Sequence, residues 1–496
     1  MADTYRHGVY TSEVPTSLTP MISVAAPTVV VGTAVKGAVN VPTLCHTLKE
    51  FTEEFGWSDD FTKYTLCEAA YVHFQLFNVA PVVFVNVLQG LKSATFSVNA
   101  TTPIKESGEM NTAGSAPNDL TLSSIETVEF VVDGSSEHEL TATTDYTATL
   151  SGTTTQTLKI TLTTAGKTKV NAWLGSGSDH AYDVKVTYAI DPATVTATDI
   201  VGGYDANTGK NTGLECIEEV YPRFGLIPGT IIAPKYSGTS TVAAALKAKS
   251  TNINGVFMAT AISDLDTNTV RTYSGVNAAK NNDNFIDPEL IVTWAKVGLG
   301  EAQMHLSTQV AALMGKVDAA HDDIPYKSPS NENLQCDRML LEDGTEIFLG
   351  KSQANYLNGL GVVTALNFVG GWKCWGNRTS AYPSNTDPKD SFIPCRRMMN
   401  WVSNTLVTSF WSKIDDPVNK RLIESTVDRA QIWLNGLVAR GALVGGRVEF
   451  REDENPVTDL ADGKIRFHVY ICPPTPAREI EFIQEMDVSY FSTLFE

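Results

Sequence analysis

Residues 93–192 hold 31 Ser or Thr, five Lys, twelve Asp plus Glu and no Arg, and they interrupt a chain of a different style. Short alternating segments recur in that stretch at 128–132, 140–144, 158–162 and 183–188, separated by Gly, Ser and Asp. Period-two alternation gives each segment one apolar and one polar face, which predicts an all-β domain with polar surfaces. The flanks alternate strand with helix instead. TVVVGTAV at 28–35 reads as a buried strand. A helix is predicted over Leu48–Phe55, with Thr47 as N-cap and Glu50 completing a capping box. A longer helix is predicted over 62–77, where Leu66, Ala70 and Phe74 recur every four residues, and a continuous apolar strand follows at 82–88. Helical periodicity returns near 214–220, then a strand at 230–233, an Ala-rich helix at 241–249 and a strand at 255–259. Such flanks predict one α/β layer with the β domain inserted into it.

Further helices are predicted at 288–297 and 302–314, with a long loop at 321–333. Two stronger helices follow. The first, over 396–411, aligns Met399, Val402, Leu406 and Phe410; the second takes Asp416 as N-cap, Pro417 at its first position and Gly441 just past its end. Residues 464–472 alternate, with Ile465, Phe467, Val469 and Ile471 on one face. Alternation restarts at 479–490, where Ile480, Phe482, Gln484, Met486, Val488 and Tyr490 share one face and four of the six intervening residues are acidic. A strand of this kind must pair with its own sheet or with a neighbour's. Residues 1–20 read as an arm with an extended stretch at 7–14. The expected fold is therefore α/β and multidomain: an α/β core at 21–92 and 193–375, an inserted all-β domain at 93–192, an α+β C-terminal domain at 376–478, and extended arms at 1–20 and 479–496.

Charge and motifs then narrow the function. With 37 basic and 56 acidic side chains the net charge is −19, which argues against a nucleic-acid binder, because phosphate neutralisation needs clustered Lys and Arg. The apolar runs at 24–35 and 79–88 fall far short of the roughly 20 residues that cross a bilayer. The opening MADTYRHGVY has no apolar stretch of a secretory signal, and seven cysteines without paired spacing read as reduced thiols; a soluble intracellular product is expected. GTEIFLGKS at 344–352 has five residues, not four, before GKS, and they suit an edge strand ending in a turn rather than a phosphate cradle. The Gly pairs at 298–300 and 359–361 lack a third glycine and read as turns. Consecutive residues His321, Asp322 and Asp323 cannot share a helix face, Cys45–His46 has no partner pair for zinc, and no G-x-S-x-G elbow occurs. No catalytic, cofactor or metal residue is assigned, and the chain is read as not an enzyme.

The order of several short segments resembles the contractile tail sheath protein family. They are HGVYTSEVP at 7–15, VVGTAVKGAVNV at 30–41, FTEEFG at 51–56, YKSPSN at 326–331, GVVTALNF at 361–368, VGGWKCWGNRT at 369–379, RGALVG at 440–445, REDEN at 451–455 and PPTPARE at 473–479. Together they cover roughly 1–92 and 215–496, while 93–192 departs from the shared core, as do the variable exterior domains of the family. The resemblance implies hexameric rings stacked helically around a tail tube, in subunits that swing as nearly rigid bodies on contraction. It also implies strand exchange between neighbours through terminal arms, for which Val9, Tyr10, Val14, Ile480, Phe482, Met486, Val488 and Tyr490 are the candidates. Docking on the tube is implied for the C-terminal domain. Here the candidates are Lys420, Arg421 and Arg429 on the helix near 417–440, a region of five basic and four acidic residues over 413–440. The implied partners are other sheath subunits, the tail tube protein, and baseplate and tail terminator proteins. The implied place is the contractile tail of a virion assembled in the host bacterial cytoplasm.

Two other classes stand beside this one. The Ser/Thr-rich β domain could make the chain a surface adhesion protein that binds glycans, although Tyr146, Trp173, Tyr182 and Tyr188 are few aromatics for sugar stacking, and a decorative or shielding role suits the domain better. The remaining class is a hydrolase with an unrecognised site.

Overall fold

A computed structural model describes residues 26–97, 108–111, 116–117, 120–132, 136–151, 157–175 and 182–495. At its centre is an eight-stranded sheet made of β1 (Thr28–Gly32), β2 (Thr43–Cys45), β3 (Val82–Asn86), β4 (Thr230–Ile232), β5 (Thr260–Asp264), β6 (Leu290–Thr293), β7 (Val362–Phe368) and β8 (Gly371–Trp375). Its order is β2-β3-β1-β4-β5-β6-β7-β8. The six inner strands run parallel, with Val29 opposite both Val83 and Ile231, while β2 and β8 close the edges antiparallel. A parallel sheet is covered on both faces, which is why TVVVG and VVFVN are apolar without alternation and wholly buried.

Helices Leu48–Phe55, Thr65–Ala70 (continuing as a π turn, Tyr71–Phe77), Ser240–Thr251 and α1 (Leu306–Ala319) pack against this sheet. The expected cap at Thr47 is present: its hydroxyl accepts the Glu50 N–H at 3.1 Å. The Glu50 carboxylate reaches one residue further back than a capping box requires, accepting the His46 N–H at 2.7 Å. Three sequence expectations are corrected here. Residues 288–297 form β6 and a strand Lys296–Leu299 rather than a helix, because LIVT is buried on both faces and short apolar runs do not distinguish the two states. The strand expected at 255–259 lies later, as β5; Ile253 and Phe257 instead close a tight turn through reciprocal main-chain bonds of 2.9 Å. Residues 302–304 form a short strand, and the helix expected from 302 starts at Leu306.

The Ser/Thr-rich segment has a separate hydrophobic cluster that includes Phe96, Val128, Phe130, Leu158, Ile160 and Val184. Four strands (Leu91–Ser97, Tyr182–Ala189, Ile125–Val132, Ser136–Leu140) form one of its sheets and three (Glu109–Asn111, Thr157–Leu162, Tyr146–Ser151) the other. It is not all-β. A helix, Thr164–Leu174, sits against the sheets through Val170 and Leu174, with the Thr163 hydroxyl accepting the Gly166 N–H at 3.2 Å. Its Thr- and Lys-rich sequence carries only that one i,i+4 apolar pair, too little to announce a helix.

Two long helices, α2 (Ile393–Phe410) and α3 (Lys420–Ala439), pack with a hairpin of Gly445–Glu449 and His468–Cys472 around a third cluster: Met398, Trp401, Val402, Leu434, Leu437 and Val448 among others. The second helix begins later than Pro417. Asn419 is its N-cap, accepting the Leu422 N–H at 2.8 Å, while Asp416 pairs with Lys413 at 3.0 Å. Gly441 follows its end at φ +77°, in the left-handed region that glycine adopts without strain.

Candidate interaction surface

The hairpin has two strands and no third beside them among the described residues. Gln431 of α3 occupies the Gly445–Glu449 edge, donating to the Gly446 carbonyl at 3.1 Å and accepting the Val448 N–H at 3.0 Å, and the edge of His468–Cys472 is the open one. Its two faces differ. Val448, Phe467, Val469 and Ile471 turn towards the helices and join their cluster. The other face is aromatic with paired charges: Arg447, opposite Tyr470 in register, lies 3.8 Å above that ring and 2.8 Å from Glu449, His468 stacks on the ring at 4.2 Å and lies 2.7 Å from Glu454, and Arg451 donates to the Tyr470 hydroxyl at 3.0 Å. Bonding to Asp453 and to Tyr470 holds Arg451 well above the usual guanidinium range. Beside the apolar face an open groove of about 530 Å³ runs between the helices and residues 463–469, lined by Leu406, Phe410, Ile414, Leu422, Ile465 and Phe467.

After the hairpin Pro473 and Pro474 stay half-buried, with the Cys395 thiol 3.9 Å from the Pro474 carbonyl, and from residue 477 the chain leaves the body. Residues 473–487 adopt no regular structure, and Val488–Phe495 form 3-10 turns. The strand expected at 479–490 is therefore absent within one chain, because no strand of its own molecule lies beside it. Ile480, Phe482, Met486, Val488 and Tyr490 all stand in solvent, with Phe482 at 86% exposure. Burying such a side chain fully is worth about 1.5–3 kcal/mol, so a row of them left bare is a surface without its cover. Val9, Tyr10 and Val14 lie outside the described residues.

On α3 the three basic candidates separate. Lys420 and Arg421 are exposed in the first turn, and Lys420 sits 3.6 Å from Glu424. Arg429 is half-buried two turns on, its guanidinium 5.6 Å above the Phe410 ring. Positive charges in a first turn oppose the helix dipole, a local cost of about 0.3–1 kcal/mol. The alternation at 464–472 puts His468 and Tyr470 on one face, but the addition of Arg447 to it, the groove and the stack of Trp401 on Trp433 carried no sequence signal, since each joins residues far apart in the chain.

The near-miss motifs fall on ordinary structure. Gly350 precedes the helix Lys351–Gly359, and Gly361 turns at φ +70° after it. His321 bonds the Val317 carbonyl at 2.7 Å, while Asp322 and Asp323 project from an exposed turn. Trp173 is occupied between His138, stacked at 4.6 Å, and Phe130. Glu68 is fully buried and pairs with His305 Nδ1 at 2.8 Å. Burial pushes its carboxyl up, but the charge and hydrogen bonds of His305 outweigh that and hold it below the usual range. Among the described residues, no group of three or more His, Cys, Asp or Glu side chains could hold a metal ion, and no helix is long and apolar enough to cross a membrane.

No family model matches the chain. The tail sheath protein of Burkholderia phage BcepMu is 27% identical over 325 residues, covering 62% of this chain and 66% of the relative, so the match spans just under two thirds of that protein. The tail sheath protein of Escherichia phage P2 is 25% identical over 317 residues, covering 60% of this chain and 73% of the relative. In fold, the chain is similar to the anti-feeding prophage helical sheath in its contracted state, with a TM-score of 0.54 at 15% identity over 98% of this chain and 100% of that one. The anti-feeding prophage baseplate in its contracted state gives a TM-score of 0.56 at 14% identity, over 97% and 98%. Relatives in sequence and a shared fold agree: the chain is similar to contractile tail sheath proteins.

Proposed function

We propose that this chain is the repeating subunit of a contractile tail sheath. Copies assemble as stacked hexameric rings around a tail tube and contract by rigid-body rearrangement, driving the tube through a bacterial envelope. The observation that carries the reading is the bare C-terminal segment beside a hairpin with one open edge, that of His468–Cys472. A strand added to such an edge gains main-chain hydrogen bonds and alternate side-chain pockets. Ile480, Phe482, Met486, Val488 and Tyr490 would lay their face over the apolar groove of a neighbouring copy, and the acidic face of Glu479, Glu481, Glu485 and Asp487 would meet its Arg447 and Arg451. Val9, Tyr10 and Val14 would contribute a second arm. A head-to-tail contact of this kind does not close on itself and so generates a helical array.

Lys420 and Arg421, carried at an electrostatic disadvantage on an otherwise acidic chain, suit an acidic tube surface; Arg429 would act through its packing on Phe410. Baseplate and tail terminator proteins would bound the array, in a virion tail assembled in the host cytoplasm. Electron microscopy of the purified protein tests the reading. Wide hollow tubes are expected from the full chain, and a folded protein without tubes is expected when 479–496 are deleted. Tubes from the deleted chain would refute strand exchange by the arm.

A further inference from the structure

The C-terminal helices meet the core sheet through one side of α2. Met398, Trp401 and Val402 of this helix belong to the C-terminal cluster, whereas Ile393 at its start belongs to the core's. Between them runs a polar column at helical spacing: Arg396, Arg397, Asn400 and Asn404. Asn404 grips the main chain of Met258, its Oδ1 accepting the N–H at 2.9 Å and its Nδ2 donating to the carbonyl at 2.7 Å. One turn back, Asn400 Nδ2 donates to Glu289 Oε2 at 2.5 Å. Arg396 Nε lies 2.6 Å from the other oxygen of Glu289, and its Nη1 lies 3.2 Å from Asp390. Arg397 forms a two-pronged pair with Asp318, one contact of which is 3.1 Å.

These anchors fall on three separate pieces of the core. Met258 leads into β5, Glu289 leads into β6, and Asp318 lies in the last turn of α1. Glu289, Arg397, Asn400 and Asn404 are all buried. Hydrophobic attraction is non-directional and would let a helix slide over the sheet. A buried charge or amide pulled from its partner finds no water to replace it, so this column admits one position only.

We infer that the column is a rivet, fixing α2 and α3 to the core sheet so that force applied at α3 reaches β5 and β6 through no compliant joint. Arg397, Asn400 and Asn404 are positioning residues for α3. Compliance sits instead in residues 477–487, which are exposed throughout. The mechanical consequence rests on the sheath reading; the coupling itself does not.

Native-state hydrogen exchange of the full, unassembled chain at rising denaturant, read by mass spectrometry, reports which elements open together. In the wild type, amides of α2 and α3 are expected to open in the same event as those of β5 and β6. The double variant Arg397→Met with Asn404→Ala keeps Met398, Trp401 and Val402. It is expected to let α2 and α3 exchange about tenfold faster or more, the scale of a lost buried hydrogen-bonded contact, while β5 and β6 keep their protection. Should that variant not fold, Asn404→Ala alone is read the same way. Wild-type α2 and α3 opening apart from β5 and β6, or exchange unmoved by the substitutions, overturns the inference. Failure to polymerise would count against the sheath reading and leaves this readout untouched.

Discussion

Trp401 on α2 and Trp433 on α3 stack with ring centroids 5.6 Å apart and planes 26° from parallel. Trp401 is buried and its partner half-buried, so the pair joins the helix fixed to the core to the helix that carries Lys420 and Arg421. Truncating a buried Trp removes its packing and leaves a cavity, at about 3–5 kcal/mol. Trp401→Ala is expected to destabilise the C-terminal cluster by that order, and Trp433→Phe by far less. Hydrogen exchange at Leu434 and Leu437 measures the difference.

The separate hydrophobic cluster of the Ser/Thr-rich segment provides a test confined to itself. A Cβ at Gly166 would fall 1.9 Å from the Asp145 carbonyl oxygen, a main-chain atom that cannot yield without moving the whole turn. Gly166→Ala is therefore expected to cost about 1–3 kcal/mol or more through overpacking. Because Val170 and Leu158 share a cluster distinct from that of Val29 and Ile262, limited proteolysis should speed up inside the Ser/Thr-rich segment and leave the core sheet's fragments unchanged.

His73 makes stability depend on pH. It is fully buried on the turn before β3, its Nδ1 lies 2.9 Å from the Ala69 carbonyl, and its Nε2 has no hydrogen-bond partner among the described residues. Burial pushes its pKa down to about 4, whereas an unfolded histidine titrates near 6.5. Between those values the unfolded chain binds the extra proton, so stability rises with pH across the window and falls on acidification. The span corresponds to about 3 kcal/mol at most. His73→Gln should flatten the slope of unfolding free energy between pH 4 and 6.5; an unchanged slope would assign acid sensitivity to other groups.

Thiol chemistry separates one cysteine from the other six. Cys472, at the root of the C-terminal segment, is exposed, while Cys336 is half-buried and the remainder are buried. Burial pushes Cys67 and Cys395 up to about 11, and Cys45, Cys216, Cys336 and Cys374 up to about 12. The thiolate is the reactive form, so an aromatic disulfide reagent at pH near 8 is expected to label one thiol per native chain, and none in Cys472→Ser.

Residues whose partners lie close in sequence, or whose burial is all-round, declared themselves: VVV and VVFV made core strands, and Thr47 capped its helix. The failures share a cause. LIVT in β6 is as short and apolar as a helix turn, and only the neighbouring strands decide its state. Asn419 outcompetes Asp416 as a cap by placement, not by chemistry, since both side chains can accept the N–H. Arg396 and Asn404 carried no sign of their role, because their partners Glu289 and Met258 stand 107 and 146 positions away. For Ile480 and Phe482 the alternation was legible and the destination was not: the strand they would join is in no part of this chain that touches them.

The basic first turn of α3 allows fold and function to be pulled apart. Arg421 is exposed at the second position of the helix, where its charge opposes the dipole. Arg421→Glu places a negative charge at that end instead and is expected to stabilise α3 by about 0.3–1 kcal/mol, measurable as slower exchange of its first-turn amides. If Arg421 meets an acidic tube, the same substitution should impair assembly on the tube, increasingly so as salt is lowered and the new repulsion is less screened. A more stable helix with defective assembly would locate the effect in the contact. Tails of normal length and number from the variant at low salt would remove Arg421 from the tube interface and leave its position on α3 unexplained.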